Sequence, residues 1–512
     1  MIRPVNSAGL VCGAIIILMS HGCSIGPDYH RPPVTLMPNW LEASNTKFTA
    51  KTTPYYQWWQ AFNDPVLNNL IETAYHQNLT IQIAGARVLE ARAQLGIASA
   101  SFFPQPQVNG SVQYDKTSHA GTGSSPGSTY SESQLSLAAG WELDFWGKFK
   151  REFQSARSIW LSSLADYDNA LVSLTAGVAD SYISLRTTEK RLEIAQQNVA
   201  IQKASLQIAQ ARLDHGTVTS LDVAQAQTVL NDTLATIPLL ETLLRQEKNS
   251  LSLYLGLAPS DLTNILKGPS QIPASPGNVV IGIPADLLRR RPDIRSAEYQ
   301  AMAQSAQIGI AKSDLFPAFS LNGAFGLLAT NSGTSKLNET FQWRNRTVQL
   351  GPSFQWNILN FERIKNNMRA QDAKFQQLIL AYQNTILNAQ KEVEDNLSAY
   401  LKDQDRAELL GKSAEAAQMA LDLAIRQYRE GTKDFTTVIA AHQALLNEQN
   451  NLAIALGGID SDLISLYRAI GGGWEIRNGK PLISAESLKE MTARTDWGKL
   501  LAPAEYMIGG SL

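Results

Sequence analysis

The chain has 512 residues, enough for two or three ordinary domains or one large unusual fold. Its 44 Lys+Arg and 46 Asp+Glu leave a formal net charge of -2, which excludes a general attraction to nucleic acid or to an anionic membrane surface. The 6 histidines are scattered without metal-ligand spacing and no nucleophile motif accompanies them, so no enzyme activity, resident metal or other cofactor is expected.

The chain opens with MIRPVNSAGLVCGAIIILMSHGC, in which Arg3 precedes an apolar run from Leu10 to Met19. That run is too short for a stable membrane anchor and reads as a signal peptide, residues 1–22. Gly22-Cys23 looks like a bacterial lipoprotein cleavage site, although Ser20 stands where leucine is usual. The expected modification is a diacylglycerol on the Cys23 thiol and an acyl chain on its new amino terminus. No later stretch has the apolar length of a transmembrane helix.

A helix is expected from NDPVLNNLIETAYHQN, with Asn63 or Asp64 as its cap and Pro65 in its first turn. Strands follow near Gln105–Ser118 and Ser131–Asp144, then a helix from Lys148 to Leu213. The order then recurs: strands near Ala318–Ala329 and Thr347–Leu359, and a helix from Arg363 to Tyr428. The recurrence is a tandem duplication. Phe103, Pro104, Asn109 and Gly110 match Phe316, Pro317, Asn322 and Gly323, while Trp141 matches Trp356 and Gly216 matches Gly431. A Pro/Gly-rich connection, 256–284, separates a first repeat (63–255) from a second (285–470).

A helix from Lys148 to Leu213 would be about 99 Å long, which calls for a special architecture. Leu185, Leu192, Val199, Leu206 and Leu213 step by sevens, and Ile194, Ile201 and Ile208 form a second ladder on nearly the opposite side. The second repeat offers Tyr400, Ala407, Ala414, Leu421 and Tyr428, with Leu409, Ala416 and Leu423 opposite. Two opposed seams give each helix a neighbour on both sides, as in a sheet or closed ring of helices. Pro238, inside a returning helix, is expected to kink it.

All four strands alternate. Val108, Val112 and Tyr114, then Leu135, Leu137 and Trp141, then Phe319, Leu321 and Phe325, then Val348, Leu350 and Phe354 form one apolar face. Gln107, Asn109, Gln113, Ser136 and Asn322 lie on the other. This is the period-two pattern of strands with lipid on one side and a wet lumen on the other. A soluble antiparallel sheet with a helix packed on its inner face alternates in the same way; the export signal and the lack of another apolar layer favour the first. Four strands cannot close a barrel, and open edges in lipid leave backbone groups unpaired at several kcal/mol each. Several chains must share one barrel; dimer, trimer and tetramer would supply eight, twelve and sixteen strands.

Three long stretches carry a family resemblance: CSIGPDYHRPPV, WWQAFNDPVLNNLIETAYHQNLTIQIAGARVLEARAQLG and PADLLRRRPDIRSAEYQAMAQSAQIGIAKSDLFPAFSLNG. Over nearly its whole length the chain resembles the outer-membrane efflux proteins (TolC-like), and within them the OprM-like lipoprotein branch. The resemblance implies an α+β membrane protein of a Gram-negative bacterium, a homotrimer sharing a 12-stranded transmembrane β-barrel (four strands per chain) in the outer-membrane lipid. A long 12-helix α-barrel would cross the periplasm. Segments 23–62 and 471–512 would form a lipidated N-terminal part and a C-terminal tail of an equatorial region. The implied function is a passive exit duct of a tripartite pump for drugs or other toxic small molecules. Its implied partners are a periplasmic membrane-fusion adaptor and an inner-membrane transporter of the resistance-nodulation-division (RND) type, and no nucleic acid. The alternatives are a duct for metal ions or for type I protein secretion.

By the same resemblance, the hairpin turns RLDHGTVTSLD and YREGTKDFTT form the periplasmic tip. Arg429 and Gly431, with Gly216 in the first repeat, are the candidate adaptor contacts; Asp214-His215-Gly216 lacks the arginine. Asp222, Asp434 and Tyr428 are the aperture candidates, because Ala440 occupies a position where relatives often carry aspartate. A carboxylate repeated around a symmetry axis would favour cations and hold bonds that opening must break.

Overall fold

The computed structural model describes residues 24–42, 45, 48–49, 57–116, 129–268, 270–276, 279–280, 290–331 and 336–501. The expected signal peptide, 1–22, and the lipidation site Cys23 lie outside the described residues. In chain order the elements are β1 (Phe48–Thr49), α1 (Pro65–Gln77), α2 (Leu79–Ala100), β2 (Gln105–Lys116), β3 (Thr129–Leu143), α3 (Lys148–Asp214), α4 (Ser220–Tyr254), β4 (Val279–Val280), α5 (Pro292–Ser313), β5 (Ala318–Thr330), β6 (Arg346–Gln355), α6 (Phe361–Arg429), α7 (Phe435–Ala469) and α8 (Ala485–Arg494). Short 3₁₀ turns interrupt the segments between them.

The two repeats read α2-β2-β3-α3-α4 and α5-β5-β6-α6-α7, so the duplication is realised element by element. Asp64 caps α1, accepting from the Val66 and Leu67 amides at 2.8 and 3.2 Å, with Pro65 in the first turn. Asn78 then separates α1 from α2: its Oδ1 accepts from the Ile81 amide at 3.1 Å and its Nδ2 donates to the Tyr254 carbonyl at 2.9 Å. The chain stays helical through Pro238, so that proline does not end α4.

One expected strand is shorter than its pattern. The fourth was expected to run to Leu359, but β6 ends at Gln355. Beyond it the Ile358 amide donates to the Trp356 carbonyl at 3.1 Å, and the Asn360 amide to Asn357 at 3.4 Å. These local turns consume the backbone groups that a longer ladder would need.

Two compact units emerge, and each repeat contributes to both. One comprises the described residues through Pro32, Glu90–Ser162 and Ala297–Ala381; the other comprises the rest. The first contains an antiparallel sheet in the order β2-β3-β5-β6. Its register places Val108 opposite Leu137, Leu137 opposite Phe325 and Phe325 opposite Val348. Directly opposed residues share a face, so the apolar row runs unbroken across all four strands. The row is solvent-exposed at Val108, Val112, Val348 and Leu350. The outer edges of β2 and β6 pair with no other described strand.

In the second unit, α6 buries its first ladder: Tyr400, Ala407, Ala414, Leu421 and Tyr428 are all within the core. The opposed ladder is bare, with Leu409 66% and Leu423 52% exposed. On α6 one seam is therefore satisfied within the chain and the other is left open. The connection after α4 is tied down where the Tyr400 hydroxyl donates to the Pro276 carbonyl at 3.0 Å and the Ser275 hydroxyl donates to Asp460. The C-terminal tail is anchored by Arg477, whose guanidinium forks onto the fully buried Asp168 of α3, with Arg295 reaching the same carboxylate at 3.4 Å.

Candidate channel tip

The two helical hairpins turn by the same hydrogen-bond pattern. In the α3–α4 turn the Gly216 amide donates to Leu213 at 2.8 Å and the Thr217 amide to Arg212 at 2.9 Å. In the α6–α7 turn the Gly431 amide donates to Tyr428 at 3.0 Å and the Thr432 amide to Gln427 at 3.0 Å. These are paired Schellman closures, and they require the left-handed backbone that Gly216 (φ +70°) and Gly431 (φ +78°) adopt without strain. The threonine after each glycine returns its hydroxyl to the same carbonyl as its amide.

Tyr428 is the hub. Its hydroxyl donates to Asp222 Oδ2 at 3.0 Å, joining the end of α6 to the first turn of α4. Its ring packs edge-on against Phe435 at 5.0 Å between centroids. Burial, and then the Asp222 carboxylate beside it, push the phenol up to about 12, so it keeps its proton and remains the donor. The Arg212 guanidinium lies 4.6 Å above the ring centre and donates to the Tyr428 backbone carbonyl. Arg212 thus fastens the first turn to the second.

Of the residues singled out from sequence, the structure brings Asp222 and Tyr428 into contact. Asp434 occupies the N-cap position of α7 but its exposed side chain makes no cap bond. Arg429, Gly431 and Gly216 are exposed on the turns, and Ala440 is exposed on α7. Sequence reasoning missed Arg212, having looked for the counterpart of Arg429 at Asp214. A signal existed, because a cation in the last turn of a helix suits the carbonyl end.

Behind the tip a polar seam joins α3 to α7. Arg191 donates to Asn450 at 2.7 Å, Asn198 to Gln449 at 2.9 Å, and Ser205 meets His442 Nε2 at 3.0 Å. With Arg212 these α3 residues recur every seven positions, on a row interleaved with the leucine ladder. His442 is 2% exposed, and burial holds its imidazole down to about 4, so it is neutral. Gln202, Ser205, Ala226, Val229, Phe435 and Ile439 line the same pocket, none of them ionisable.

Comparison with known proteins gives this geometry a family. The outer membrane efflux protein model matches residues 70–257 and 283–472, the two repeats in turn. Nodulation protein T of Rhizobium leguminosarum bv. trifolii is 31% identical over 89% of this chain and 96% of its own length. A pyoverdine export outer membrane protein of Pseudomonas putida is 29% identical over 84% of this chain and 91% of its own. Among solved structures, the outer-membrane channel OprN superposes with a TM-score of 0.83 at 31% identity, covering 88% of this chain and all of that one. The chain belongs to the outer membrane efflux protein family.

Proposed function

We propose that three copies of this chain form a passive exit duct of a tripartite efflux pump. The observation that carries the reading is the four-stranded sheet: one face is predominantly apolar, the other is polar, and neither edge pairs with another described strand. Lipid tolerates the apolar face but not the edges, so β6 of one copy pairs with β2 of the next until the cylinder closes at 12 strands. The bare Leu409–Leu423 ladder of α6 supports the same closure in the helical region, in which α3, α4, α6 and α7 of three copies make a 12-helix tube.

The tip turns then meet a periplasmic adaptor through exposed Arg429 and Gly431, and the adaptor links the duct to an RND-type transporter. The Tyr428–Asp222 bond and the Arg212 fastening hold the tip constricted until the adaptor engages. Lipidation of Cys23 is supported by the residues that follow it. The Ile25 amide donates to the Trp146 carbonyl at 3.0 Å, and Arg151 donates to the Ile25 and Gly26 carbonyls at 3.2 Å. This pins the chain just after Cys23 beside the proximal end of β3, where acyl chains reach the inner leaflet.

Planar-bilayer recording tests the duct. The purified protein should insert and conduct weakly, and Tyr428→Phe should raise the conductance. Insertion without current in either form would overturn the reading.

A further inference from the structure

The outer rim of the sheet carries cations on its lipid-facing row. On β6 the outward residues are Phe354, Pro352, Leu350 and Val348, and the next in the same phase is Arg346, opposite Leu327. On β2 they are Val108, Gly110, Val112 and Tyr114, and the next is Lys116, opposite Thr129. Both edge strands thus end their greasy rows with a positive charge, at the end remote from the helices.

Arg346 is held in place. Its Nη1 donates to the Trp343 carbonyl at 3.1 Å and its guanidinium lies 5.2 Å over the Trp343 ring. That ring rests against Phe325, 6.0 Å between centroids, on the outward face of β5. Neighbouring Arg344 is paired with Glu339, whereas Arg346 is the one stacked on Trp343. At the other end of the row Trp356 donates to the Leu315 carbonyl at 3.0 Å and marks the inner rim. Ten residue steps from Trp356 to Arg346, at about 3.3 Å each and tilted about 40°, span about 25 Å. That is the height of the apolar band of an outer-membrane barrel, so Arg346 and Lys116 sit at the depth of the outer headgroups.

We infer that Arg346 and Lys116 form a binding site for the phosphate groups of an outer-leaflet lipid. The inference rests on the shared barrel proposed above, in which β6 of one copy adjoins β2 of the next. Arg346 and a second copy's Lys116 then line one seam, three times around the barrel. A guanidinium stacked on tryptophan offers its N–H edge to phosphate while its face stays on the ring. Facing the membrane, these cations lie outside the path of any exported solute. The occupant is a lipid rather than a soluble anion, because the surrounding row of Val348, Leu350, Val112 and Tyr114 takes acyl chains.

The test is native mass spectrometry of the detergent-purified protein with bisphosphorylated lipid A, its dephosphorylated form, or inorganic phosphate. The trimer should retain the bisphosphorylated lipid, lose about fivefold in occupancy for each cation removed by Arg346→Gln or Lys116→Gln, and hold the dephosphorylated lipid no better than the double variant does. Inorganic phosphate should not displace the lipid, and lumen-facing Gln349→Ala should bind as wild type. A trimer that binds both lipids equally, or a double variant that binds as wild type, overturns the site while leaving the barrel intact. Displacement by inorganic phosphate overturns the lipid as occupant. A species of one chain overturns the barrel and the site together.

Discussion

The hydroxyl of Tyr428 reaches Asp222 across 3.0 Å, although 206 residues separate the two in sequence. The duplication explains the meeting: the end of α6 and the start of α4 belong to equivalent hairpins, one in each repeat. The bond joins two of the three aperture candidates, Asp434 being the third, and its removal has a defined expectation. Tyr428→Phe keeps the ring against Phe435 and beneath Arg212 while deleting the donor. Its cost in stability should be about 1 kcal/mol, as for one hydrogen bond, and single-channel conductance should rise. Asp222→Asn retains an acceptor and should change conductance less. Equal conductance in all three proteins would refute the latch.

Arg212 should matter to turn structure more than to charge. Arg212→Lys preserves the positive charge but loses the planar fork that spans the Tyr428 ring and carbonyl. Hydrogen exchange at residues 427–434 should accelerate in Arg212→Lys nearly as much as in Arg212→Ala. Protection restored by lysine would show that charge alone suffices.

Stability of the helical region should depend on pH through His442, with a fixed sign. Its ordinary value is 6.5 and burial lowers it to about 4. Between those values the unfolded chain binds a proton that the folded one refuses, so stability is complete above about 6.5 and declines as pH falls toward 4. His442→Gln should flatten the thermal midpoint across that window and leave pH 8 nearly unchanged. A wild-type midpoint that does not fall between pH 7 and 4.5 relative to the variant would contradict the burial argument.

Asp460 predicts the opposite slope. Burial raises its carboxyl from 3.8 to about 7, with Ser275 its hydrogen-bond donor and Oδ2 unmatched. Its favourable contribution is present at low pH and is lost as pH rises through about 7. Asp460→Asn should therefore raise the thermal midpoint at pH 8 and change little at pH 4. A variant less stable than wild type at pH 8 would show that the ionised form is the one the fold needs.

The tail offers a fifth expectation, measured by thermal unfolding. Arg477→Ala leaves the buried Asp168 carboxylate with Arg295 alone, at 3.4 Å, and should cost on the order of 3–5 kcal/mol. Arg477→Met combined with Asp168→Leu removes both charges and should recover much of the loss. A double variant as unstable as the single one would assign the effect to packing instead.

Local rules made much of this fold legible. Period-two alternation placed β2, β3 and β5 to within a few residues, and the matched glycines located both tip turns. The extra residues assigned to the fourth strand arose because Trp356 and Ile358 continue the alternation, whereas the backbone turns at Asn357–Asn360 to enter α6. Arg212, the α3–α7 polar seam and the Arg477–Asp168 anchor were not legible for a different reason. Each joins residues more than 200 positions apart, and a polar side chain on a helix surface reads as solvated until its distant partner is known. His442, isolated in sequence, is buried only because α3, α4 and α7 converge around it. The two opposed ladders were visible as a pattern; that the chain fills one on α6 and leaves Leu409 and Leu423 bare is a tertiary fact.

The central claim is that the sheet is one third of a cylinder. Within one chain three strand steps separate β2 from β6, about 14 Å, whereas closure around a ring places β6 one step, about 5 Å, from the neighbouring β2. Val112→Cys on β2 with Leu350→Cys on β6, treated in outer membranes with a bismaleimide shorter than about 10 Å, should give covalent species that stop at three chains. Each single-cysteine variant should give no such ladder. Crosslinking confined within single chains, or ladders that do not stop at three, would contradict the account.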